Sequence, residues 1–502
     1  MHKKLQELKT RLLEVNNLKS ASAVLAWDQA TYMPPGGTPA RARQLATLER
    51  LAHEKFIDPA LGRLLDELLP YGESLPYDSD EASLIRITRR DYERATRIPP
   101  SFRAEFTSHM AESYQAWTQA RPANDFAAVR PYLEKGLELC RQFAEFYPGY
   151  EHIADPWIHE WDYGLKASTV RSLFADLREQ LVPLVQTIAD RPLADDSCLH
   201  QHFPEALQWD FGLDVARRFG YDMQRGRQDK VPHPFTTNFS IGDVRITTEV
   251  KEDDVSWALF GTLHEAGHGL YEQGIHPALE GTPLAVGTSA GMHESQSRLW
   301  ENVVGRNQRF WQFFYPRLQA VFPAQLGAVS LDTFYRAINR VERTLIRGSA
   351  DEVTYNLHIM LRFDLELALL EGSLAVKDLP EAWRTRFQAD FGLIPTDDRD
   401  GVMQDSHWYA DGIGGQFQGY TLGNILSAQF YEAALQAHSE ILDEMAQGEF
   451  GTLHGWLRER IYQHGRKFTA NELVERVIGG PMRIEPYLHY LRNKYGELYR
   501  IQ

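Results

Sequence analysis

A five-residue stretch, His264-Glu265-Ala266-Gly267-His268, constrains this chain more than any other feature of its sequence. Two histidines four residues apart project from the same face of a helix, so both imidazoles can bind one metal ion. The glutamate that follows the first histidine is placed to accept a proton from an attacking water. The stretch therefore predicts a helix that carries two metal ligands and a general base.

The third ligand that we predict is Glu294, which lies 26 residues after His268 in His293-Glu294-Ser295-Gln296. This segment reads as the next helix, and the arrangement is typical of zinc peptidases whose ligands lie on two helices. Two histidines and one carboxylate leave tetrahedral zinc with one open position, as in catalytic sites. We expect one Zn²⁺ per chain, for which Co²⁺ could substitute. His293 and His358 are interpreted as ordinary surface or hydrogen-bonded histidines.

Peptide hydrolysis is the reaction that these residues favour. Glu265 would accept the proton of the attacking water and pass it to the departing nitrogen. The oxyanion formed in that attack needs hydrogen-bond donors besides the cation, and His407 and Tyr420 could supply them. These two residues lie in the segments 401–408 and 414–420, where glycines allow the backbone to approach a ligand closely. A structural role is the alternative for each.

Recognition of a free C-terminal carboxylate requires an arginine, because the planar guanidinium binds a carboxylate through two parallel hydrogen bonds. Arg347, in Ile346-Arg347-Gly348-Ser349-Ala350-Asp351, and Arg245 are the two candidates. The alternative for either arginine is a structural ion pair.

Apolar residues recur at helical spacing through most of the chain, so the sequence predicts a mainly α-helical protein. The predicted helices of the first part cover 38–56, 81–95, 101–120, 126–147 and 168–189. One strand signal stands out at 235–250, where β-branched and aromatic residues flank Ile241-Gly242-Asp243 and predict a hairpin. Its position just before the metal-binding helix makes it a candidate wall of a substrate cleft. A small structural sheet is the alternative.

The chain has 502 residues, a length that suggests two or three domains. No linker-like or low-complexity stretch interrupts it, however, so we expect a single elongated helical domain over 1–502. The formal net charge of −16 argues against nucleic-acid binding. With only two cysteines, no apolar signal sequence at the N-terminus and no long apolar run, a cytoplasmic protein without a membrane span is expected.

Taken together, these motifs resemble the carboxypeptidase Taq family of zinc metallocarboxypeptidases. Six segments match in the family's order: His233-Pro234-Phe235, Asp243-Val244-Arg245-Ile246-Thr247, His264 to His268, His293 to Gln296, Ile346 to Asp351 and Gly401 to Trp408. Segments near both ends, 25–34 and 420–424, resemble the family's flanking regions. The resemblance therefore extends over essentially the full length.

The resemblance implies a mainly α fold with a deep active-site groove, similar to the neurolysin and angiotensin-converting-enzyme group, and an N-terminal helical region of about 1–150 that shields the groove. It implies a homodimer that releases C-terminal residues from peptides one at a time, with broad specificity and poor action after proline.

The resemblance also implies roles for individual residues. His264, His268 and Glu294 are metal ligands, and Glu265 is the catalytic base. His233, Arg245, Arg347 and His407 line the groove or contact substrate. Gln416 replaces a tyrosine of many family members, so Tyr420 is taken as the second oxyanion donor and Gln416 as a substrate-binding residue.

Two other functions are weighed against this one. A zinc oligopeptidase would cut internal bonds with the same chemistry, and a peptide blocked by C-terminal amidation would distinguish it from a carboxypeptidase. A non-catalytic peptide-binding protein could keep the helical groove, but here all three ligands and the base are present.

Overall fold

The computed structural model describes residues 1–501, and helices dominate it as the apolar periodicity predicts. The first part contains α1 (His2–Thr31), α2 (Thr38–Phe56), α3 (Pro59–Glu73), α4 (Asp80–Arg97), α5 (Pro100–Ala123), α6 (Phe126–Glu145), α7 (Asp155–Trp161), α8 (Ala167–Ala189), α9 (Glu205–Phe219) and the strands β1 (Gln228–Lys230), β2 (Thr236–Ser240) and β3 (Asp243–Thr248).

The second part contains α10 (Val255–Gly274), α11 (Ala290–Arg298), α12 (Gln308–Val321), α13 (Pro323–Leu326), α14 (Leu331–Ile338), α15 (Tyr355–Glu371), α16 (Leu379–Phe391), α17 (His407–Ala410), α18 (Gln418–Ala437), α19 (Ile441–Met445), α20 (Gly451–Arg460), α21 (Ala470–Ile478) and α22 (Glu485–Tyr499). A π-helix, Leu299–Val304, directly follows α11. Short 3₁₀ turns cover Pro35–Gly37, Ser197–Leu199, Pro277–Leu279, Arg347–Ser349, Val376–Asp378 and Tyr462–His464.

The chain forms two compact units, each assembled from three separate stretches of sequence. Unit 1 contains Met1–Thr96, Asp196–Ile338 and Phe430–Pro481. Unit 2 contains Arg97–Asp195, Asn339–Gln429 and the residues from Met482 onward. The boundary at Thr96 divides the predicted N-terminal region 1–150 between the two units. A single domain, and a shielding role for that region, stay predictions.

Unit 1 contains a three-stranded sheet in the order β1-β3-β2. The antiparallel pair of β2 and β3 confirms the predicted hairpin, with a register shift between Asn238 and Ser240 close to the turn. The parallel strand β1 was not predicted, because three polar residues, Gln228–Lys230, carry no apolar alternation. The helix α10 packs on β2 and β3, so the sheet supports the helix that carries the histidine pair.

The N-terminal helices of unit 1 bury a cluster of leucines. Leu5, Leu8 and Leu12 of α1 lie at helical spacing and pack against leucines of α3, among them Leu61 and Leu65. All five side chains are essentially inaccessible to solvent. Each such side chain contributes about 1.5–3 kcal/mol through burial, so this cluster is a substantial part of the stability of unit 1.

Unit 2 is organised around α15, a helix that is buried on nearly all sides. It packs against α6, α8 and α16. Two charged residues of this helix, Arg362 and Glu366, are also buried. Across residues 1–501, no helix combines the length and the apolar character that crossing a membrane requires.

Candidate metal centre

The helix α10 holds His264 and His268 one turn apart. Asp254 caps its N-terminus by accepting a hydrogen bond from the Ser256 N–H at 2.8 Å. Leu263 and Leu270 are fully buried and fix the rotation of the helix about its axis. The histidine face is thereby held in one direction.

Gly267 explains how the third candidate ligand reaches this face. A Cβ atom at position 267 would lie 2.6 Å from both the Gln296 carbonyl oxygen and the Ser297 Cα. The backbones of α10 and α11 are therefore in direct contact, which only glycine permits. Ser289 caps α11 through the Met292 N–H at 3.1 Å. Two closely packed helices thus place Glu294 beside the histidines.

The three candidate ligands lie together in unit 1. Glu294 Oε2 is 3.7 Å from His264 Nε2 and 3.4 Å from His268 Nε2. One donor atom from each of the three side chains lies within 4.8 Å of the others. Glu294 Oε1 points away and accepts a hydrogen bond from Arg298 Nε at 2.6 Å. The arginine therefore orients the carboxylate so that one oxygen faces both imidazoles.

A carboxylate from the π-helix supports His264. His264 Nδ1 and Glu301 Oε2 are 2.9 Å apart. Because a carboxylate only accepts, Nδ1 of the ring donates its proton to Glu301, and in the neutral form that binds a metal Nε2 is unprotonated and faces the site. Arg298 Nη1 also donates to Glu301 Oε2, at 3.2 Å. The same arginine thus holds both carboxylates around His264.

His268 is supported by a second imidazole. His268 Nδ1 contacts His293 Nδ1, and His293 Nε2 lies 2.7 Å from Glu272 Oε1. Glu272 also accepts from the Gly287 N–H at 2.9 Å. Since the carboxylate accepts the Nε2 proton of His293, His293 Nδ1 is an acceptor and His268 donates to it. The unprotonated Nε2 of His268 then faces Glu294, as metal coordination requires.

The protonation of these residues follows from burial and charge. Burial lowers the pKa of His268 to about 3, so this ring is neutral near pH 7. Burial also disfavours the charged form of His264, but Glu294 and Glu301 outweigh it and raise the pKa of that imidazole. For Glu301, Arg298 and His264 overcome the effect of burial and lower the pKa to about 2.

Glu265, the candidate base, projects from α10 with its side chain buried. Its Oε2 accepts a hydrogen bond from Thr236 Oγ1 of β2 at 2.6 Å. Burial raises the pKa of Glu265, while His264 and the Thr236 hydroxyl act in the opposite direction. A raised pKa favours proton acceptance by a carboxylate. The predicted hairpin therefore holds the candidate base directly.

Arg245 and His233, the other candidates in unit 1, lie near the same hairpin. Arg245 of β3 donates from Nε and Nη2 to both carboxylate oxygens of Asp243 at 2.8 Å. Its guanidinium lies over the Trp27 and Phe239 rings, 4.3 and 4.8 Å from their centroids. His233 lies exposed between β1 and β2. Arg245 thus forms the ion pair that was its structural alternative.

In unit 2 the structure brings His407, Tyr420 and Arg347 together around Asp405. His407 Nδ1 bonds to Asp405 Oδ1, and His407 Nε2 lies 3.4 Å from the Tyr420 hydroxyl. Arg347 donates from Nε to Asp405 Oδ2 at 2.6 Å and from Nη1 to Tyr355 at 3.0 Å. Asp405 therefore orients the side chains of His407 and Arg347, and His407, Arg362 and Arg347 strongly lower its pKa despite burial.

Gln416 lies in the glycine-rich segment of unit 2, where its side chain hydrogen-bonds to Asp411. The preceding residue, Gly415, has a φ of 83°, and a Cβ there would lie 2.4 Å from the Trp157 backbone. Both the conformation and the close approach require glycine. The segment is therefore tightly fitted against α7.

Comparison with known proteins identifies the family of this chain. The sequence profile of the carboxypeptidase Taq (M32) metallopeptidase family matches residues 7–495. The chain belongs to this family. It is 43% identical over 500 residues to thermostable carboxypeptidase 1 of Thermus thermophilus, with 97% of each chain covered.

Solved structures agree with this assignment. The M32 carboxypeptidase of Deinococcus radiodurans R1 is 47% identical, with a TM-score of 0.97 over 99% of this chain and 100% of that one. Metallocarboxypeptidase 1 of Trypanosoma cruzi is 28% identical, with a TM-score of 0.94 over 99% of this chain and 100% of that one. The protein is therefore a metallocarboxypeptidase, a peptide hydrolase with a mainly α fold.

A metallocarboxypeptidase of this family uses a divalent metal ion, and the donor set here fits one. Two imidazole nitrogens and one carboxylate oxygen converge, and the hydrogen bonds to Glu301 and His293 direct both unprotonated Nε2 atoms inward. Side chains arranged only for structural ion pairs would not need these particular tautomers.

Sequence reasoning missed the supporting residues Glu272, Glu301, Arg298 and Thr236. Two of them carried a usable signal, since Glu272 follows His268 by four residues and Arg298 follows Glu294 by four, which places each pair on one helix face. Glu301 and Thr236 carried none, because only the tertiary fold brings them to the site.

Proposed function

We propose that His264, His268 and Glu294 bind one Zn²⁺ per chain, for which Co²⁺ could substitute, and that the protein removes C-terminal residues from peptides with Glu265 as general base. The observation that carries the proposal is the convergence of the three donors with the buried Glu265 carboxylate next to them on α10. Imidazole and carboxylate ligands with an open position are those of catalytic zinc.

The bound cation would act as a Lewis acid, which polarises the scissile carbonyl and acidifies a water. Glu265 accepts the proton of the attacking water at Oε1 or Oε2 and delivers it to the departing nitrogen. The Thr236 hydroxyl, 2.6 Å from Oε2, fixes the orientation of the carboxylate throughout. Glu301 and His293 hold the imidazole rings of His264 and His268 in place.

His407 and Tyr420 are proposed to stabilise the oxyanion. Asp405 accepts the Nδ1 proton of His407, which leaves His407 Nε2 and the Tyr420 hydroxyl, 3.4 Å apart, as the groups that face each other. The Tyr420 hydroxyl can donate to a developing negative charge, and His407 Nε2 can donate in the imidazolium form, in which both ring nitrogens carry a proton. Gln416 is proposed as a nearby substrate contact.

Arg347 and Arg245 are proposed as anchors for the substrate's terminal carboxylate, with His233 as a further substrate contact. Asp405 and Asp243 hold the two guanidinium groups in fixed orientations, which lowers the entropy lost when a carboxylate binds. The strand β2 lies at an edge of the sheet, where a peptide could add by main-chain hydrogen bonds.

The carboxylate anchor is tested with a matched pair of peptides, one free and one amidated at the C-terminus. An anchoring arginine contributes a charge-assisted contact of roughly 1.5–3 kcal/mol, so Arg347→Ala or Arg245→Ala should lower kcat/KM for the free peptide about ten- to a hundredfold. Cleavage of the amidated peptide, which lacks the carboxylate, should change little.

The ratio between the two peptides is the readout, because general damage to the fold would lower both rates together. A loss shared equally by both peptides would assign the arginine a structural role. Unchanged rates in both variants would reject both arginines as anchors.

Four further properties belong to the proposal. We propose broad specificity with poor action after proline, a homodimer and a cytoplasmic location. Both cysteines, Cys140 and Cys198, are buried and free, as expected in a reducing compartment. Sedimentation equilibrium on the purified protein would test the homodimer directly.

A further inference from the structure

Arg347, a proposed carboxylate anchor in unit 2, is held by its backbone as well as by its side chain. Its N–H donates to Gln404 Oε1 at 2.8 Å, and Gln404 Nε2 donates in turn to the Leu345 carbonyl at 2.7 Å. The Gln404 side chain therefore pairs with the main chain on both sides of Ile346. This pairing fixes the point from which the guanidinium projects.

Two acceptors fix the guanidinium itself, and they contact different nitrogens. Nε donates to Asp405 Oδ2 at 2.6 Å, and Nη1 donates to the Tyr355 hydroxyl at 3.0 Å. A guanidinium is planar and rigid, so a single contact would leave it free to turn about that hydrogen bond, whereas contacts at two nitrogens define the orientation of its plane. The Tyr355 hydroxyl is thus the second point that this orientation needs.

The remaining donors of Arg347 face no acceptor of the protein. Arginine has five N–H donors, and the two contacts use the one on Nε and one on Nη1. Within the described residues, 1–501, the other N–H on Nη1 and both on Nη2 have no partner. The side chain is 18% exposed, and Nη2 is not buried. A substrate carboxylate can therefore be bound through Nη1 and Nη2.

Tyr355 is itself held firmly. It is the first residue of α15, and its side chain is buried. Its N–H donates to the Asp351 carbonyl at 3.0 Å, and the Asp351 carboxylate accepts from the Val353 and Thr354 N–H groups at 2.9 and 3.0 Å. The Tyr355 ring meets the Tyr420 ring edge to face, with centroids 6.3 Å apart. The hydroxyl therefore has a fixed position from which to hold the guanidinium.

We propose that Tyr355 is a positioning residue for recognition of the C-terminal carboxylate. Its hydroxyl holds the Arg347 guanidinium in the plane in which Nη1 and Nη2 meet the substrate, so that less side-chain entropy is lost on binding. The inference rests on the proposed function of Arg347 as the anchor. Because the hydroxyl acts through this arginine, its loss should affect only substrates that have a free C-terminus.

Tyr355→Phe removes the hydroxyl and keeps the ring that packs against Tyr420. Because Arg347 is partly exposed, water can accept the Nη1 proton in this variant, which should therefore fold normally. For the metal-loaded protein, we expect kcat/KM of a free peptide to fall about three- to tenfold, mainly through KM. Cleavage of the same peptide amidated at its C-terminus should stay unchanged.

Tyr409→Phe is the matched control for this variant. The Tyr409 side chain is buried in the same unit, and its hydroxyl has no hydrogen-bond partner within residues 1–501. Removing that hydroxyl should change the cleavage of neither peptide.

A double-mutant cycle shows whether the hydroxyl acts through the arginine. Tyr355→Phe should have no further effect on the free peptide once Arg347 is replaced by alanine. An equal loss in both backgrounds, or an equal loss for both peptides, would overturn the proposal.

The cycle also separates this inference from the proposed anchor. A selective loss in Arg347→Ala beside an unchanged Tyr355→Phe would overturn the role of Tyr355 and leave the anchor in place. If Arg347→Ala itself gave no selective loss for the free peptide, the anchor would be rejected and the role of Tyr355 with it.

Discussion

His293→Ala tests the support of the metal site most sharply. The imidazole of His293 links His268 Nδ1 to Glu272 Oε1 and is the residue that directs the unprotonated Nε2 of His268 toward Glu294. Removing it leaves the His268 N–H without its acceptor and gives the ring freedom to adopt the other tautomer. Loss of such a supporting partner typically lowers metal affinity 10- to 100-fold, about 1.4–2.7 kcal/mol.

The surroundings of His293 place the expected loss of metal affinity near the lower end of this range. The His293 side chain is 25% exposed, so water can enter the space and accept the His268 proton in part. Glu272 keeps the Gly287 N–H and the Asn238 amide as donors. We therefore expect roughly a tenfold weaker zinc affinity for His293→Ala.

Competition with a chromogenic chelator measures this affinity without reference to turnover. His489→Ala, at an exposed position of α22, is the matched control and should bind zinc like the unmodified protein. A zinc affinity for His293→Ala within twofold of the unmodified value would refute the argument that His293 fixes the tautomer of His268.

Two further predictions concern unit 2. His407→Ala and Tyr420→Phe should lower kcat ~10²-fold with little change in KM, because an oxyanion donor acts mainly in the transition state. Steady-state kinetics would check this. An unchanged kcat for Tyr420→Phe together with a large loss of kcat for Gln416→Ala would make Gln416 the donor. Burial raises the pKa of Glu366 to about 8. Between its ordinary value of 4.5 and about 8, the folded state keeps a proton that the unfolded state has lost. This carboxyl therefore destabilises the folded state increasingly as pH rises through that range. Glu366→Gln does not titrate and still accepts from Trp408, so its thermal stability relative to the unmodified protein should rise from pH 5 to pH 9; a constant difference would contradict the shift.

The helices and the hairpin could be predicted because their signals are local. Asp254 and Ser289, for example, act as caps directly in front of the helices that carry the candidate ligands. The strand β1 escaped prediction because its pairing with β3 depends on a distant segment and not on its own three residues. The division into two units escaped it too, since each unit is assembled from separate stretches of the chain.

The metal site shows the same limit. Helical spacing predicted that His264 and His268 share one helix face, and the third ligand, Glu294, was predicted on the next helix. The reason that the two helices meet, direct backbone contact at Gly267, becomes visible only in three dimensions. The ion-pair partners of the two candidate arginines differ in the same respect. Asp243 is two residues from Arg245, whereas Asp405 is 58 residues from Arg347 and meets it only in the folded chain.

The proposed mechanism requires Glu265 to act as the base beside a metal held by His264, His268 and Glu294. The most direct measurement is the zinc content and the peptide turnover of Glu265→Gln, with Glu294→Ala for comparison. We expect about one zinc per chain and no turnover for Glu265→Gln, because an amide cannot accept the water proton. Glu294→Ala should lose its zinc on dialysis. Normal turnover by zinc-loaded Glu265→Gln, or full zinc retention by Glu294→Ala, would contradict it.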